Sequence, residues 1–367
     1  MFKSVFVSGR EINYPRNQLF VSALQDFSDV KIIGRESADI SRGGISYIIK
    51  QSLIGLFKVL SKRNLKHLDF IFVGFFGHLL VLPLAFFLKI PIIFDVFVSA
   101  YETLVNDRQA IRADSLLAKL IYFLDKKSCE ISDLVFIDTQ AHAQFFHSCF
   151  HIPLEKMNVV YVGCDEDIFF PREIPIDEAK VLYYCSFLPL HGVDVVVQAA
   201  QIVEKTSPLK FRIIGNGVEE KKVRDLALNL GVRNVEFVNQ VPQENLPEEI
   251  ASSLICLGGH FGISEKAKYV IPGKVYQIIA MGKPVIVGDN IANHELLTHN
   301  EDSWFCEMNN PEALAKAIVT LYEDKKLRRK LGAGAYSTFK NKASEAVLKA
   351  QIRNAIEGYL FENRTNY

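Results

Sequence analysis

Short apolar runs recur along this chain, each followed by a stretch with helical spacing, and the alternation starts afresh past residue 180. In the first half the runs are 4–8, 30–33, 70–73, 92–96, 134–137 and 159–162, with helical patterns near 17–26, 44–61, 78–88, 115–131 and 140–149. In the second half they are 180–185, 210–214, 235–238, 254–257, 285–287 and 303–306, with helices near 191–205, 217–230, 246–251, 274–281, 292–297 and 311–322. Continuous apolar strands alternating with helices predict parallel sheets covered on both faces. Two such series predict two doubly wound, Rossmann-like halves facing across a cleft, with ligands at the carboxyl ends of the strands.

Between the halves, 169–180 reads FFPREIPIDEAK, a linker composition with two prolines and mixed charge. The expected divisions are a first domain over 1–168, a second over 178–340, and a C-terminal helix over 341–367 that returns to the first domain. The tail 327–360 reads as helical, with apolar residues at helical spacing late in it (Ala346, Val347, Ala350, Ile352, Ile356, Leu360).

A formal net charge of zero over 367 residues argues against a general nucleic-acid binder, which needs a basic excess. Six scattered cysteines without a CxxC pair point to a reduced, cytoplasmic protein rather than a disulfide framework or zinc site. The opening MFKSVFVSG reads as strand and turn, not as a secretory leader. The very apolar stretch 68–100 is broken by Gly74, Gly77, His78, Pro83, Lys89 and Pro91, so it reads as strand, helix, strand rather than a membrane span of about 20 unbroken residues.

The segment 269–289, YVIPGKVYQIIAMGKPVIVGD, is the richest in chemistry. A helix opening near Gly273 presents Lys274 and Gln277 one turn apart on the same side. Free N–H groups and a positive dipole end at a helix start favour phosphate, and the cation and amide suit a pyrophosphate and ribose hydroxyls. An ordinary αβ unit with a Gly stop and a Pro start is the structural alternative.

Three other segments add to it. In 211–217, FRIIGNG, Gly215 and Gly217 follow a strand, where glycine allows close backbone approach to a ligand; a plain turn explains them equally. In 183–194, YYCSFLPLHGVD, Ser186 and His191 precede a helix, and a histidine there can donate to a phosphate. In 258–268, GGHFGISEKAK, glycines, His260, Lys266 and Lys268 suit an anion or a solvated loop.

Taken in order, LPLHGVD, IIGNG, NVEFVNQVP and IPGKVYQIIAMGKPVI resemble the nucleotide-sugar domain of family 4 retaining glycosyltransferases, which have the GT-B fold. Upstream, SDLVFIDTQAHAQFF and MNVVYVGCDEDIFFP are similar to that family's interdomain crossing. The resemblance covers about 130–335 well and the first 130 residues loosely. It implies a hexosyltransferase-type enzyme moving sugar from a nucleotide-diphospho-sugar, UDP- or GDP-linked, to an acceptor hydroxyl on a lipid-linked or glycan acceptor. It also implies retention, no metal and no cofactor beyond the co-substrate. Donor-binding positions would be Gly9, Ser186, His191, Gly215, Gly217, Val241, Lys266, Lys268, Lys274 and Gln277. The family's paired Glu positions fall on Tyr269 and Gln277, and its Arg and Lys on Ser186 and His191, so Lys274 and its neighbours must supply the charge. Those departures keep two alternatives open: a non-catalytic nucleotide-sugar-binding subunit, or a GT-B sugar-nucleotide epimerase.

In the first half, 95–108 reads DVFVSAYETLVNDR directly after a strand. Polar residues at a strand end carry function more often than packing. The polar set is Asp95, Ser99, Tyr101, Glu102, Asp107 and Arg108. The resemblance implies acceptor-binding and catalytic groups after this strand: Asp95 and Glu102 as catalytic candidates with Lys274, and Ser99 and Tyr101, with Gly77 and His78 after the preceding strand, as acceptor contacts. The DED at 165–167 resembles a metal-binding DxD, but its place at the crossing, with Gly163, reads as a turn and hinge. The stretch 45–66 interleaves apolar residues with Lys50, Lys58, Lys62, Arg63 and Lys66, a pattern of a helix peripheral on an anionic membrane or of a solvated face.

Overall fold

A computed structural model describes residues 1–34, 45–61, 67–107 and 110–363, the side chains of 45–48 excepted. The chain divides into two compact units, Met1–Val162 with Ala346–Tyr367, and Gly163–Glu345.

The first unit runs β1 (Phe2–Val7), α1 (Pro15–Gln25), β2 (Ser28–Ile33), α2 (Ile45–Leu60), β3 (Phe70–Val73), α3 (His78–Phe87), β4 (Ile92–Asp95), α4 (Leu116–Ile131), β5 (Leu134–Ile137), α5 (Gln140–Phe150) and β6 (Met157–Val159). The strands form one parallel sheet in the order β2-β1-β3-β4-β5-β6. Strands β3, β4 and β5 are buried along their whole length, as continuous apolar runs require. One face is packed by Val59, Leu80, Leu84, Cys129 and Phe146 from α2 to α5. The other is packed by α1 and by the chain's last helix.

The second unit runs β7 (Asp177–Tyr184), α6 (Val193–Val203), β8 (Lys210–Ile214), α7 (Glu220–Asn229), β9 (Val235–Val238), α8 (Leu246–Ala251), β10 (Ser253–Gly259), α9 (Lys266–Tyr269), α10 (Gly273–Ala280), β11 (Val285–Gly288), α11 (Ile291–Leu296), β12 (Trp304–Cys306), α12 (Pro311–Glu323) and α13 (Lys325–Thr338). Its strands are parallel in the order β12-β11-β10-β7-β8-β9. The last helix, α14 (Glu345–Asn363), belongs to the first unit. Its Leu348, Ile352, Ile356 and Leu360, four residues apart on one stripe, join Phe2, Phe6, Phe20 and Phe72.

All twelve expected strands are present, many with ends shifted by a residue or more, and three of the differences stand out. β6 stops at Val159 instead of 162, because the carbonyls of Val160 and Tyr161 leave the ladder and accept from the Arg16 guanidinium at 2.5 and 3.0 Å. β7 starts at Asp177, inside the expected link, tied there by its N–H to the Ser252 carbonyl (2.8 Å). The tail is not one helix: after α13 a π-turn at Phe339–Ala343 and an extended Ser344 (ψ 152°) turn the chain before α14. The stretch 68–100 is β3, α3 and β4, and no helix among the described residues is long and apolar enough to cross a membrane.

Candidate functional site

In an open parallel sheet, ligands bind where the strand order reverses. In the second unit that point lies between β7 and β10. The loops leaving these two strands pack on each other: the N–H of Phe261 donates to the His191 carbonyl (3.4 Å), that of Gly262 to Leu190 (3.2 Å). The Tyr183 hydroxyl donates to the same His191 carbonyl at 2.6 Å. Gly192 makes the approach possible: its φ is +63°, and a Cβ would stand 2.4 Å from the Gly262 nitrogen. The consequence is that the rings of His191 and His260 stack, centroids 5.4 Å apart at 23°.

Beside them α10 begins at Gly273 with no side-chain cap, and Gly273 is exposed. Lys274 in its first turn is only 8% exposed, with Nζ 5.4 Å from the centre of the Tyr183 ring. Among the described residues it has no hydrogen-bonding or ion-pairing partner; the Nδ1 of buried His260 likewise has none. A buried ammonium costs free energy unless paired. Here a lysine, two histidines and an uncapped helix start converge with no carboxylate among them, an arrangement completed by an anion.

The electrostatics follow from that crowding. Burial first, and then the Lys274 charge, push His191 down to about 3. Burial, then His191, Lys274 and Lys266, push His260 well below the ordinary range. Burial lowers Lys274, against the opposing pull of Cys185. His191 Nδ1 faces the carbonyl oxygen of Ser186, which fixes its proton there. The neutral ring therefore turns a lone pair outward at Nε2, and becomes a phosphate donor only when protonated.

A proton linkage results. In the ligand-free protein both histidines are depressed, so the folded state resists protons that the unfolded chain accepts. Stability should fall as pH drops below about 6.5, the ordinary value. An anion bound beside the two rings would raise both groups, so its binding should take up protons and tighten as pH falls. Calorimetry in buffers of different ionisation enthalpy reads this directly; no proton uptake would contradict the assignment of the two rings to the anion.

The other expected donor residues divide. Gln277 lies on α10 one turn after Lys274, its Oε1 accepting from Tyr184 (2.8 Å). Ser186 is exposed at the mouth of the first loop, and Lys266 is close enough to act on His260. Lys268 is exposed and paired with Glu265 at 2.6 Å, which takes it away from the cluster. Gly215 and Gly217 support rather than contact: the Gly215 N–H donates to Val238 (2.9 Å), and a Cβ there would meet the Cys185 carbonyl oxygen at 1.9 Å. Their loop holds the Ser186 loop through Phe187 N–H to Asn216 O, 2.7 Å. Val241 is half-buried in the loop after β9.

In the first unit the order reverses between β1 and β3, and the loops carrying Gly9 and Gly77 meet there, Gly9 N–H donating to Phe75 O at 3.1 Å. Asp95, a catalytic candidate in the sequence, is not free to meet an acceptor hydroxyl. It is fully buried and gripped by Arg16, also fully buried, at 2.9 Å. Burial raises its carboxyl against the pull of Arg16. Ser99, Tyr101 and His78 are organised by buried Asp125 on α4. Its carboxylate accepts from the Ser99 hydroxyl (2.6 Å) and the Tyr101 N–H (2.8 Å) and lies 3.3 Å from His78 Nε2. That last contact is close without being aligned as a hydrogen bond. Glu102, 1% exposed, opens a π-turn over Glu102–Asp107. Arg108 lies outside the described residues.

Two residues that matter, Arg16 and Asp125, and one contact, that of His260 with His191, are not legible in the sequence. His260 sat in a segment recognised as suited to anions, yet only the fold stacks it on His191. Arg16 and Asp125 carry no signal in the sequence and are buried hubs, both fully buried. The DED forms a turn: Asp165 Oδ1 accepts from the Asp167 N–H (3.0 Å), and Glu166 pairs with Lys340 (2.9 Å).

Residues 165–338, nearly all of the second unit, match the family described as Glycosyl transferases group 1. Over 191 residues the chain is 25% identical to the N-acetyl-alpha-D-glucosaminyl L-malate synthase of Bacillus anthracis, covering 49% of this chain and 48% of that protein. Over 235 residues it is 24% identical to the D-inositol 3-phosphate glycosyltransferase of Thermobispora bispora, covering 58% and 53%. The chain spans about half the length of the curated relatives it matches. Among solved structures it is similar to sucrose-phosphate synthase from Thermosynechococcus elongatus (TM-score 0.75, 15% identity, 99% and 100% covered). It is also similar to Anabaena HepE in complex with UDP (TM-score 0.73, 13% identity, 98% and 100% covered). The fold is GT-B, as in those structures: two parallel-sheet, Rossmann-like domains.

Proposed function

We propose that the chain is a glycosyltransferase drawing on a nucleotide-diphospho-sugar, with the diphosphate seated among Lys274, His260, His191 and the start of α10. The observation that carries this is the Lys274 ammonium without a counter-anion, beside two stacked histidines and the uncapped start of α10, at the switch point of the unit that matches the glycosyl transferases group 1 family. During transfer, negative charge grows on the departing diphosphate, and preorganised donors stabilise it more than they stabilise the ground state. Lys274 and the protonated histidines supply that charge, so the reading needs no metal. Gln277 suits the ribose, and UDP is the first base to test because a structural neighbour was solved with it. Retention by front-face attack requires no protein nucleophile, consistent with Asp95 being held by Arg16. A hexosyl donor and an acceptor hydroxyl on a lipid-linked or glycan molecule complete the proposal, with Ser99, Tyr101 and His78 on the acceptor side.

The test is calorimetry with UDP, GDP, ADP, TDP and CMP, with and without a chelator, followed by product analysis with the matching sugar nucleotide. One diphosphate should bind in the presence of chelator, and a glycoside should form. A free epimer would replace the transferase by an epimerase, and binding without any turnover would make the chain a non-catalytic subunit. Failure of every nucleotide to bind would remove the donor site itself.

A further inference from the structure

Helices α2, α3 and α4 lie side by side on one face of the first unit's sheet. A helix covering a sheet ordinarily turns polar residues outward. These three also turn large apolar residues outward. Leu53 and Phe57 on α2 are 62% and 74% exposed, Phe86 and Phe87 at the end of α3 are 83% and 61%, and Leu116 and Leu120 on α4 are 84% and 53%. The ten residues of α3 include no Asp, Glu, Lys or Arg. Apolar exposure spread over three neighbouring helices marks a surface that meets something.

The charges say what. Between Asp39 and Asp69 the sequence has no acidic residue and six basic ones: Arg42, Lys50, Lys58, Lys62, Arg63 and Lys66. Of these, Lys50 and Lys58 line a cavity of about 270 Å³ with Arg10, Ser8 and Gln51, bordered by Ile54 of α2. Glu11, 2.8 Å from Arg10, is paired with it. On α4, Glu130 is taken up by Lys126 and Lys127, and Asp125 is buried. A second copy docked by this face would set lysine against lysine, whereas an anionic lipid surface complements both the apolar residues and the basic ones.

We propose that the outer face of α2, α3 and α4 docks on an anionic lipid surface and that the Arg10, Lys50 and Lys58 cavity receives a phosphate group from it. The sequence pointed to 45–66 alone, part of which (Lys62, Arg63, Lys66) lies outside the described residues; α3, α4 and the cavity come from the fold.

The test is flotation of the full chain with phosphatidylcholine vesicles, with and without phosphatidylglycerol, in the absence of nucleotide. Its failure is therefore separate from any failure of the transferase reading. The protein should float only with the anionic vesicles, less so in high salt. The pair Phe57→Ser and Leu120→Ser, both at exposed positions, should cut the bound fraction by about tenfold or more with an unchanged thermal midpoint. The pair Lys50→Glu and Lys58→Glu should lower it by a similar roughly tenfold factor. To separate lipid from free phosphate, sn-glycerol phosphate should raise the thermal midpoint of the native chain but not of the Lys50→Glu, Lys58→Glu pair. No flotation, or variants floating like the native chain, would overturn the lipid surface. Self-association in sedimentation that Phe57→Ser abolishes would make the face a protein interface instead. A midpoint unmoved by glycerol phosphate would remove the phosphate seat.

Discussion

Replacing Lys274 by alanine is expected to lower nucleoside diphosphate affinity and sugar transfer by roughly 10²–10³-fold, the usual cost of losing one preorganised donor to a developing oxyanion. At the same time the ligand-free protein should keep its thermal midpoint or gain a little. The two expectations have one cause. Lys274 is 8% exposed and has no hydrogen-bonding or ion-pairing partner among the described residues, so its charge is a cost to the folded state until an anion arrives. Removing it should also release His191 and His260 from like-charge repulsion, raising both toward the ordinary histidine range. Lys274→Met retains the stem over Tyr183 and separates packing from charge. Isothermal calorimetry, thermal scans and a transfer assay on both variants read the set. Near-normal turnover in folded Lys274→Ala would sink the assignment, and a large fall in midpoint would recast the lysine as structural.

The backbone plan was legible because burial on both faces leaves long apolar runs, and runs such as 70–73, 92–96 and 134–137 have few other ways to be satisfied. The anchor of the site was legible too, since the start of α10, with Lys274 and Gln277 one turn apart, is a local pattern. What the sequence hid was non-local. Whether a histidine meets another depends on two loops packing, and the spacing of 191 and 260 does not encode that contact. Nor does spacing show which charges go inside. Asp95, at a strand end beside other polar residues, has the sequence signature of a catalytic carboxylate. Its partner Arg16 lies 79 positions away on a different helix. Lys268 and Lys266 look equivalent in sequence, yet a helical offset of two residues sends them to different sides, one to Glu265 and the other toward His260.

The same arrangement gives the second large effect, on stability. Arg16→Met should destabilise the first unit by about 3–5 kcal/mol, the range for leaving a buried charge without its partner, which corresponds to roughly 10 °C in thermal midpoint for a unit of this size. Arg16 meets both Asp95 oxygens and also donates to the carbonyls of Val160 and Tyr161. It lies between the rings of Phe20 and Phe97, 4.9 and 5.2 Å from their centres, where water cannot take over. The single change therefore strands a carboxylate and two carbonyls at once, at the point where β6 ends. The decisive comparison is the double variant Arg16→Met, Asp95→Leu. Because desolvating an ion pair costs nearly what its attraction returns, removing both charges should recover much of the loss. Chemical denaturation of the native chain, both single variants and the double gives the coupling energy. A double variant no more stable than Arg16→Met would mean that the carbonyl contacts, not the carboxylate, set the cost. An Arg16→Met protein as stable as the native chain would mean that the pair contributes nothing to holding this end of the sheet.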